Sequence, residues 1–270
     1  MVPTIDTARA LAMPSEPLSA LCASAARLLE VPCVLSVLSP TPLTPALVAA
    51  LAERLPEATR RYLSRLHHPL RLQESVLGRA LAQWVAEQTA RQLTEVPPYS
   101  PILTAEADAQ STVVQASLSI AHTSRNGLAV SVAVAKAPIA IDIERLRPRD
   151  NLAALISYAF SDTLNAALTA AMARQESERA ALALFYRAWG AHECVTKLNR
   201  GGSRYRLVSE AQFGVAVLDA AANTALSLTT LEPEKDLQLT VVAAPELASE
   251  ELSTTVVSAE TLFAALCHKS

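Results

Sequence analysis

The segment Ile141-Asp142-Ile143-Glu144 alternates isoleucine with carboxylate, and the element that makes sense of this alternation is a strand. In a strand, residues two apart share a face, so Asp142 and Glu144 point one way and Ile141 and Ile143 the other. A strand with one apolar face must bury that face under another layer. Downstream, Phe185, Trp189, Glu193 and Lys197 recur every four residues, which makes one stripe on a helix. The first half of the stripe is aromatic and suits a core. The second half is charged and suits a position just past it. A helix packed on the strand therefore delivers Glu193 beside Asp142 and Glu144, with Lys197 one turn further on. The chain is expected to be α+β (α/β), with helices laid on small sheets.

Three carboxylates from two rigid elements can converge on one divalent cation. Hard oxygen ligands suit magnesium, which keeps several waters and shares its shell with substrate phosphates. That combination points to phosphoryl transfer on a diphosphate. Taken singly, each pattern has a plainer reading: the wet face of a half-exposed strand, or a surface Glu/Lys pair of small value. The chain has only six glycines and neither a Walker-type loop nor Gly-x-Gly-x-x-Gly. Phosphate binding must then come from metal and basic side chains.

Ser117-Leu118-Ser119-Ile120-Ala121-His122-Thr123, then Gly127, then the apolar run Leu128 to Ala135, reads as strand, tight turn, strand. His122 falls at a strand end. Further upstream, Cys33 to Leu38 is a strand, and Thr44-Pro45 opens a helix with proline at its first position. Helices are expected from Glu57 to Leu66 and from Leu72 to Arg91. The latter has Val76, Leu77, Ala80, Leu81 and Trp84 spaced as a buried stripe. Arg60, Arg61, Arg65, His67, His68 and Arg71 form the most basic patch of the first half. It is either a solvated helix face or a place for substrate phosphates. Residues 97–101 read as a loop. Asn151 is placed to cap a helix running to Phe160, and Gly201-Gly202 to stop a long helix from Glu176 to Leu198. Strands follow at 213–218, 225–230 and 237–243. The expected divisions are an extension over 1–30, a first half over 31–137, a second half over 138–245 and a tail over 246–270.

Composition narrows the class. In 270 residues, 51% are hydrophobic, enough for a sizeable core, and the net charge of −3 argues against a general nucleic-acid binder. Cys22, Cys33, Cys194 and Cys267 are too scattered for a zinc site or a disulfide framework, which fits a reducing cytoplasm. No basic segment precedes an apolar run at the N-terminus. The longest apolar stretch carries Lys136, Pro138 and Asp142, so no membrane span is expected.

Taken in order, Ser-x-x-His-Thr, the glycine turn, the apolar strand, Ile-Asp-Ile-Glu and Phe-Tyr-x-x-Trp-x-x-x-Glu-x-x-x-Lys make a specific series. It resembles the large, single-chain 4′-phosphopantetheinyl transferases that activate peptide and polyketide synthetases. The match is clear from about Ser117 to Gly202 and weaker back to about Cys33. The resemblance implies two similar halves related by a pseudo-twofold, with the site in the cleft between them. It implies magnesium on Asp142, Glu144 and Glu193, a histidine at His122 that contacts the 3′-phosphate of coenzyme A, and a lysine at Lys197 that assists the leaving group. Arg61, Ser75 and His192 are further candidates for contacts to coenzyme A. The activity it implies is transfer of the phosphopantetheine arm to a serine of an acyl or peptidyl carrier protein, by a monomer, with release of 3′,5′-ADP. Arg145, Arg147 and Arg149 either give an acidic carrier a basic rim or form a charged loop that stays solvated.

The chain also departs from that pattern. His192 replaces the usual lysine before the helix glutamate, and Ala140 replaces a glycine. Residues 96–101 lack the Gly-Lys-Pro loop, and Glu74 stands where an arginine is usual. A family member that only binds or regulates, or a magnesium-dependent diphosphate hydrolase, remains an alternative.

Overall fold

The computed structural model describes residues 32–89, 91–96, 100–105, 116–124, 127–199, 202–247 and 252–267. The expected extension over 1–30, Gly201, and the centre of the proline-rich stretch at 97–99 lie outside these residues. In chain order the elements begin with β1 (Cys33–Ser39), α1 (Pro45–Glu53), α2 (Glu57–Leu63) and α3 (Pro69–Gln88). The strands β2 (Arg91–Val96), β3 (Ser100–Ala105), β4 (Ser117–Thr123), β5 (Leu128–Ala135) and β6 (Ile139–Arg145) follow. Then come α4 (Leu152–Ala159), α5 (Asp162–Ala173) and α6 (Glu178–Leu198). The last elements are β7 (Tyr205–Glu210), β8 (Gly214–Asp219), β9 (Thr224–Ala225), β10 (Ser227–Glu234), β11 (Leu237–Ala243), a 3-10 turn at Pro245–Leu247, β12 (Ser253–Val257) and α7 (Ala259–Cys267). The architecture is mixed α/β, and no described helix is long and apolar enough to cross a membrane.

Burial on both faces explains why β5 is apolar at every position but Ser131, whose hydroxyl pairs with that of Ser36 at 2.7 Å. One sheet has the order β12-β1-β5-β4, with β12 parallel to β1 and the other pairs antiparallel. Its larger side chains, among them Leu35, Val37, Val130, Val132 and Val134, face a helical layer. That layer includes Val76, Leu77, Ala80, Leu81 and Trp84 of α3, each at most 1% exposed. Burying a side chain of this size stabilises by about 1.5–3 kcal/mol before chain entropy is counted. The opposite face is built from small residues, Ala129, Ala133 and Ala135, and packs on a second sheet of order β10-β11-β6. There it meets Ile139, Ile141 and Ile143 of β6 and Leu237, Leu239 and Val241 of β11. The far face of that second sheet carries Ala140 and Val242 into a third core, shared with α5, α6 and the β7-β8-β9 sheet. The layers thus run helix, sheet, sheet, helix.

The two stacked sheets meet along β4 and β6 through hydroxyls instead of a backbone ladder. Ser117 Oγ accepts from Ile139 N at 3.2 Å, and Ser119 Oγ accepts from Ile141 N at 3.1 Å. Ser119 is buried, so this bond satisfies donor and acceptor where water cannot reach.

Several expectations are corrected. The segment expected as a tail over 246–270 packs into the first sheet and core. Its Ser253–Val257 pairs with Cys33–Val37, and Ala259, Leu262, Ala265 and Leu266 of α7 sit in the first core. Asn151 precedes α4 but makes no side-chain cap bond. Helix α3 starts at Pro69, because His68 caps it and proline suits the first turn. Residues Ser100 and Pro101, expected in a loop, open β3, which pairs with β2. Helix α5 and strand β7 were not anticipated; both lie in segments with weak periodicity. Their apolar residues, including Leu168, Ala171 and Tyr205, are buried by α6 and by β8 and its neighbours.

Candidate active site

Two glycines set the helices against the strands that carry the site. Gly190 lies on α6 where a Cβ would fall 2.4 Å from Thr240 Oγ1 and 2.6 Å from Thr240 Cβ on β11. Mid-helix glycine costs about 1 kcal/mol relative to alanine, and here it permits close helix–sheet approach. Gly78 on α3 plays the same part: a Cβ there would fall 2.9 Å from Ile120 Cγ2 of β4. Helix α6 starts cleanly, with Ser177 Oγ accepting from Ala180 N at 3.1 Å and Glu178 in its positively polarised first turn.

The consequence is a cleft of about 500 Å3 where the ends of β4 and β6 meet α3 and α6. His122, Asp142, Glu144, Glu193 and Lys197 all line it, together with Arg71, Glu74, Arg147, Arg149 and Trp189. The alternation of β6 is visible in its burial. Ile141 and Ile143 are fully buried, while Asp142 and Glu144 are half-buried.

The carboxylates are balanced by internal cations. Lys197 Nζ donates to Ile141 O at 2.6 Å and to Asp142 Oδ1 at 3.3 Å. Arg149 Nη2 stands 3.7 Å from Glu144 Oε2, and its Nε donates to Tyr186 Oη at 2.8 Å. Burial pushes the Glu144 carboxyl up to about 7, and the Asp142 charge adds to this; Arg149 and Arg147 oppose it. A carboxyl pushed up by burial, and further by an adjacent negative charge, is one that an added cation would relieve. Among the described residues, however, no three His, Cys, Asp or Glu side chains form a ready-made metal cluster. Asp142, Glu144 and Glu193 suit a hard divalent ion in donor type and charge.

The other end of the cleft is governed by a buried carboxylate. Glu74 on α3 is 3% exposed, and its Oε2 lies 3.2 Å from His122 Nδ1 and 3.4 Å from Arg71 Nη1. The His122 contact is close enough for an ion pair but lies off the line of a good hydrogen bond. Burial alone would raise the Glu74 carboxyl; interactions with His122, Ser124 and Arg71 outweigh it and hold the group below its ordinary value. Glu74 thus remains a fixed negative charge behind His122.

Three sequence candidates fall elsewhere. Arg61 lies on α2, three-quarters exposed and paired with Glu57 one turn back. Ser75 is half-buried on α3 and does not line the cleft. His192 packs edge-on against Phe160 at 5.9 Å and beside Trp189 at 6.2 Å, so it is an aromatic packing residue and does not line the cleft. The three arginines after Glu144 do not form one rim. Arg145 turns to Glu234 at 3.4 Å, whereas Arg147 and Arg149 line the cleft.

Arg71 was anticipated only as part of the basic patch offered to substrate phosphates, and it alone of that patch lines the cleft; Glu74 and Tyr186 were not recognised as site residues, although the unusual Glu74 was noticed. Nothing local in the sequence places the Tyr186 hydroxyl on an arginine from another segment. No protein-family model matches the chain, and no curated protein matches it.

Proposed function

We propose that the chain is a divalent-cation-dependent transferase that moves the 4′-phosphopantetheine arm of coenzyme A to a carrier-protein serine and releases 3′,5′-ADP. The observation that carries this reading is the convergence of Asp142, Glu144, Glu193 and Lys197, from one strand and one helix, in a single cleft. The two-half fold with an approximate twofold, a cytoplasmic location and a monomeric state belong to the same reading.

Magnesium held by Asp142, Glu144 and Glu193 would supply charge neutralisation on the diphosphate. Glu193, which lines the cleft, accepts the proton of the attacking serine, directly or through an intervening water. Lys197 stabilises the departing phosphate. Arg147 adds positive charge along the cleft wall. Rigid placement on β6 and α6 gives the rest of the rate, through positioning and preorganised charge.

A binding or regulatory role is favoured by a different observation, the buried Glu74 behind His122. One assay separates the readings. Protein, coenzyme A, magnesium and an apo carrier are mixed, and the carrier is weighed by mass spectrometry. A phosphopantetheine increment supports the transferase. An unchanged carrier with intact coenzyme A supports the binding protein. Cleaved coenzyme A with an unloaded carrier supports a diphosphate hydrolase.

A further inference from the structure

We propose that Lys197 is a built-in counter-cation for Asp142, displaced by the incoming divalent ion, so that ion binding releases the lysine toward the leaving group. This rests on the divalent-cation reading above and describes how that site is regulated.

The Lys197 ammonium is engaged on both sides. It donates to the Ile141 carbonyl at 2.6 Å and to Asp142 Oδ1 at 3.3 Å. The two side chains are 18% and 14% exposed, so solvent screens the pair weakly. An ammonium holding one oxygen of Asp142 neutralises it as a metal would, and it withholds that oxygen from one. Glu144 shows the same tendency, with Arg149 Nη2 at 3.7 Å. Asp142 therefore rests satisfied by its own lysine, which agrees with the lack of a ready-made cluster among the described residues.

A dication and an ammonium cannot share one carboxylate oxygen at such distances without strong repulsion. An ion that takes Asp142 Oδ1, the oxygen Lys197 now holds, breaks the Lys197–Asp142 contact. The lysine is held from the last turn of α6, and its stem is long enough to swing into the open cleft while Glu193, one turn back, stays with the ion. Lys197 is then free to meet a phosphate only when the ion is in place. Substrate bound without the ion meets a lysine already engaged, and premature cleavage is suppressed.

The test is a titration with Mn2+ as the probe, followed by electron paramagnetic resonance, on the full chain without coenzyme A or carrier. Lys197→Met keeps most of the stem and removes the charge. It should bind Mn2+ at least about tenfold tighter than the unaltered protein, since a competing cation has been taken away. Asp142→Asn should lose Mn2+ binding. A second measurement needs no variant. The ammonium resonance of Lys197, seen by nitrogen-15 NMR, should shift when Mg2+ is added. Equal or weaker Mn2+ binding by Lys197→Met, with Asp142→Asn still defective, removes the counter-cation role and leaves the metal site standing. An unmoved ammonium resonance under saturating Mg2+ does the same. If no protein binds Mn2+ alone, the same comparison is repeated with coenzyme A present, and absence of Mn2+ binding there too removes the metal reading and this inference with it.

Discussion

For the proposed transferase, replacing Gly190 by alanine tests whether close approach of α6 to β11 places Glu193 and Lys197 for the reaction. The new methyl would lie 2.6 Å from Thr240 Cβ and 2.4 Å from Thr240 Oγ1. An ordinary contact needs about 3.5–4.0 Å, so the overlap is about 1 Å. Turning the threonine cannot remove it, because Cβ is fixed by the strand backbone. Helix α6 must therefore move outward, and it carries Glu193 and Lys197 away from Asp142. Two terms oppose each other in stability. Alanine improves the helix by about 1 kcal/mol, while overpacking costs about 1–3 kcal/mol, so the net loss should be no more than about 2 kcal/mol. Activity should suffer far more, because a 1 Å misplacement of catalytic groups costs on the order of a hundredfold. We predict that Gly190→Ala unfolds at a modestly lower urea concentration yet transfers phosphopantetheine about a hundred times more slowly. Thr240→Gly in the same chain opens the contact and should restore much of the rate. Unimpaired transfer by Gly190→Ala would refute the argument that this contact sets the site.

Other expectations follow from the same geometry. Asp142→Ala and Glu193→Ala should each abolish transfer with an unchanged far-ultraviolet circular dichroism spectrum; full transfer by Glu193→Ala would remove its role in the metal site and as base. Glu144 supplies a pH signature. Its folded value of about 7 exceeds the ordinary 4.5, so the native state binds the proton more tightly and stability falls as pH rises through that window. The difference amounts to about 3 kcal/mol at most. Urea midpoints in metal-free buffer should therefore drop from pH 5 to pH 8 in the unaltered protein, and Glu144→Gln should largely flatten that change; parallel curves would count against it. His192→Phe preserves the ring packing on Phe160, so the Michaelis constant for coenzyme A should stay within about twofold at every pH. A larger change would place His192 at the substrate after all. Truncation before Ser253 removes β12 and α7 from the first sheet and core and should yield protein without a cooperative unfolding transition.

Much of the site was legible because it is written in two local periods. Asp142 and Glu144 share a face whenever Ile141 and Ile143 are buried, and Glu193 and Lys197 share a stripe whenever Phe185 is buried. Burial of the apolar partners is enough to aim the charges. The first strand and the helix at Pro45 were legible from an unbroken apolar run and a Thr-Pro start; α3 was legible from its buried stripe, but its start at His68-Pro69 was not. The departures arose where a residue's role depends on a remote neighbour. His192 looked like a substitute for a phosphate-binding lysine, yet its direction is set by Phe160, which reaches it from another helix end. Glu74 looked like a lost arginine, and only the close packing of α3 on β4 at Gly78 brings it under His122.

The sequence by itself determined which residues face a core and which do not, because a period of two or of about four is a property of the chain alone. Tertiary structure alone decided which charges meet. Lys197 reaches Asp142, Arg149 reaches Glu144, and the last strand of the chain lies beside the first. Such pairings depend on how layers stack and how closely helices approach sheets. Those distances are set by the volumes of side chains far apart in sequence, such as Gly190 against Thr240, and no local pattern encodes them.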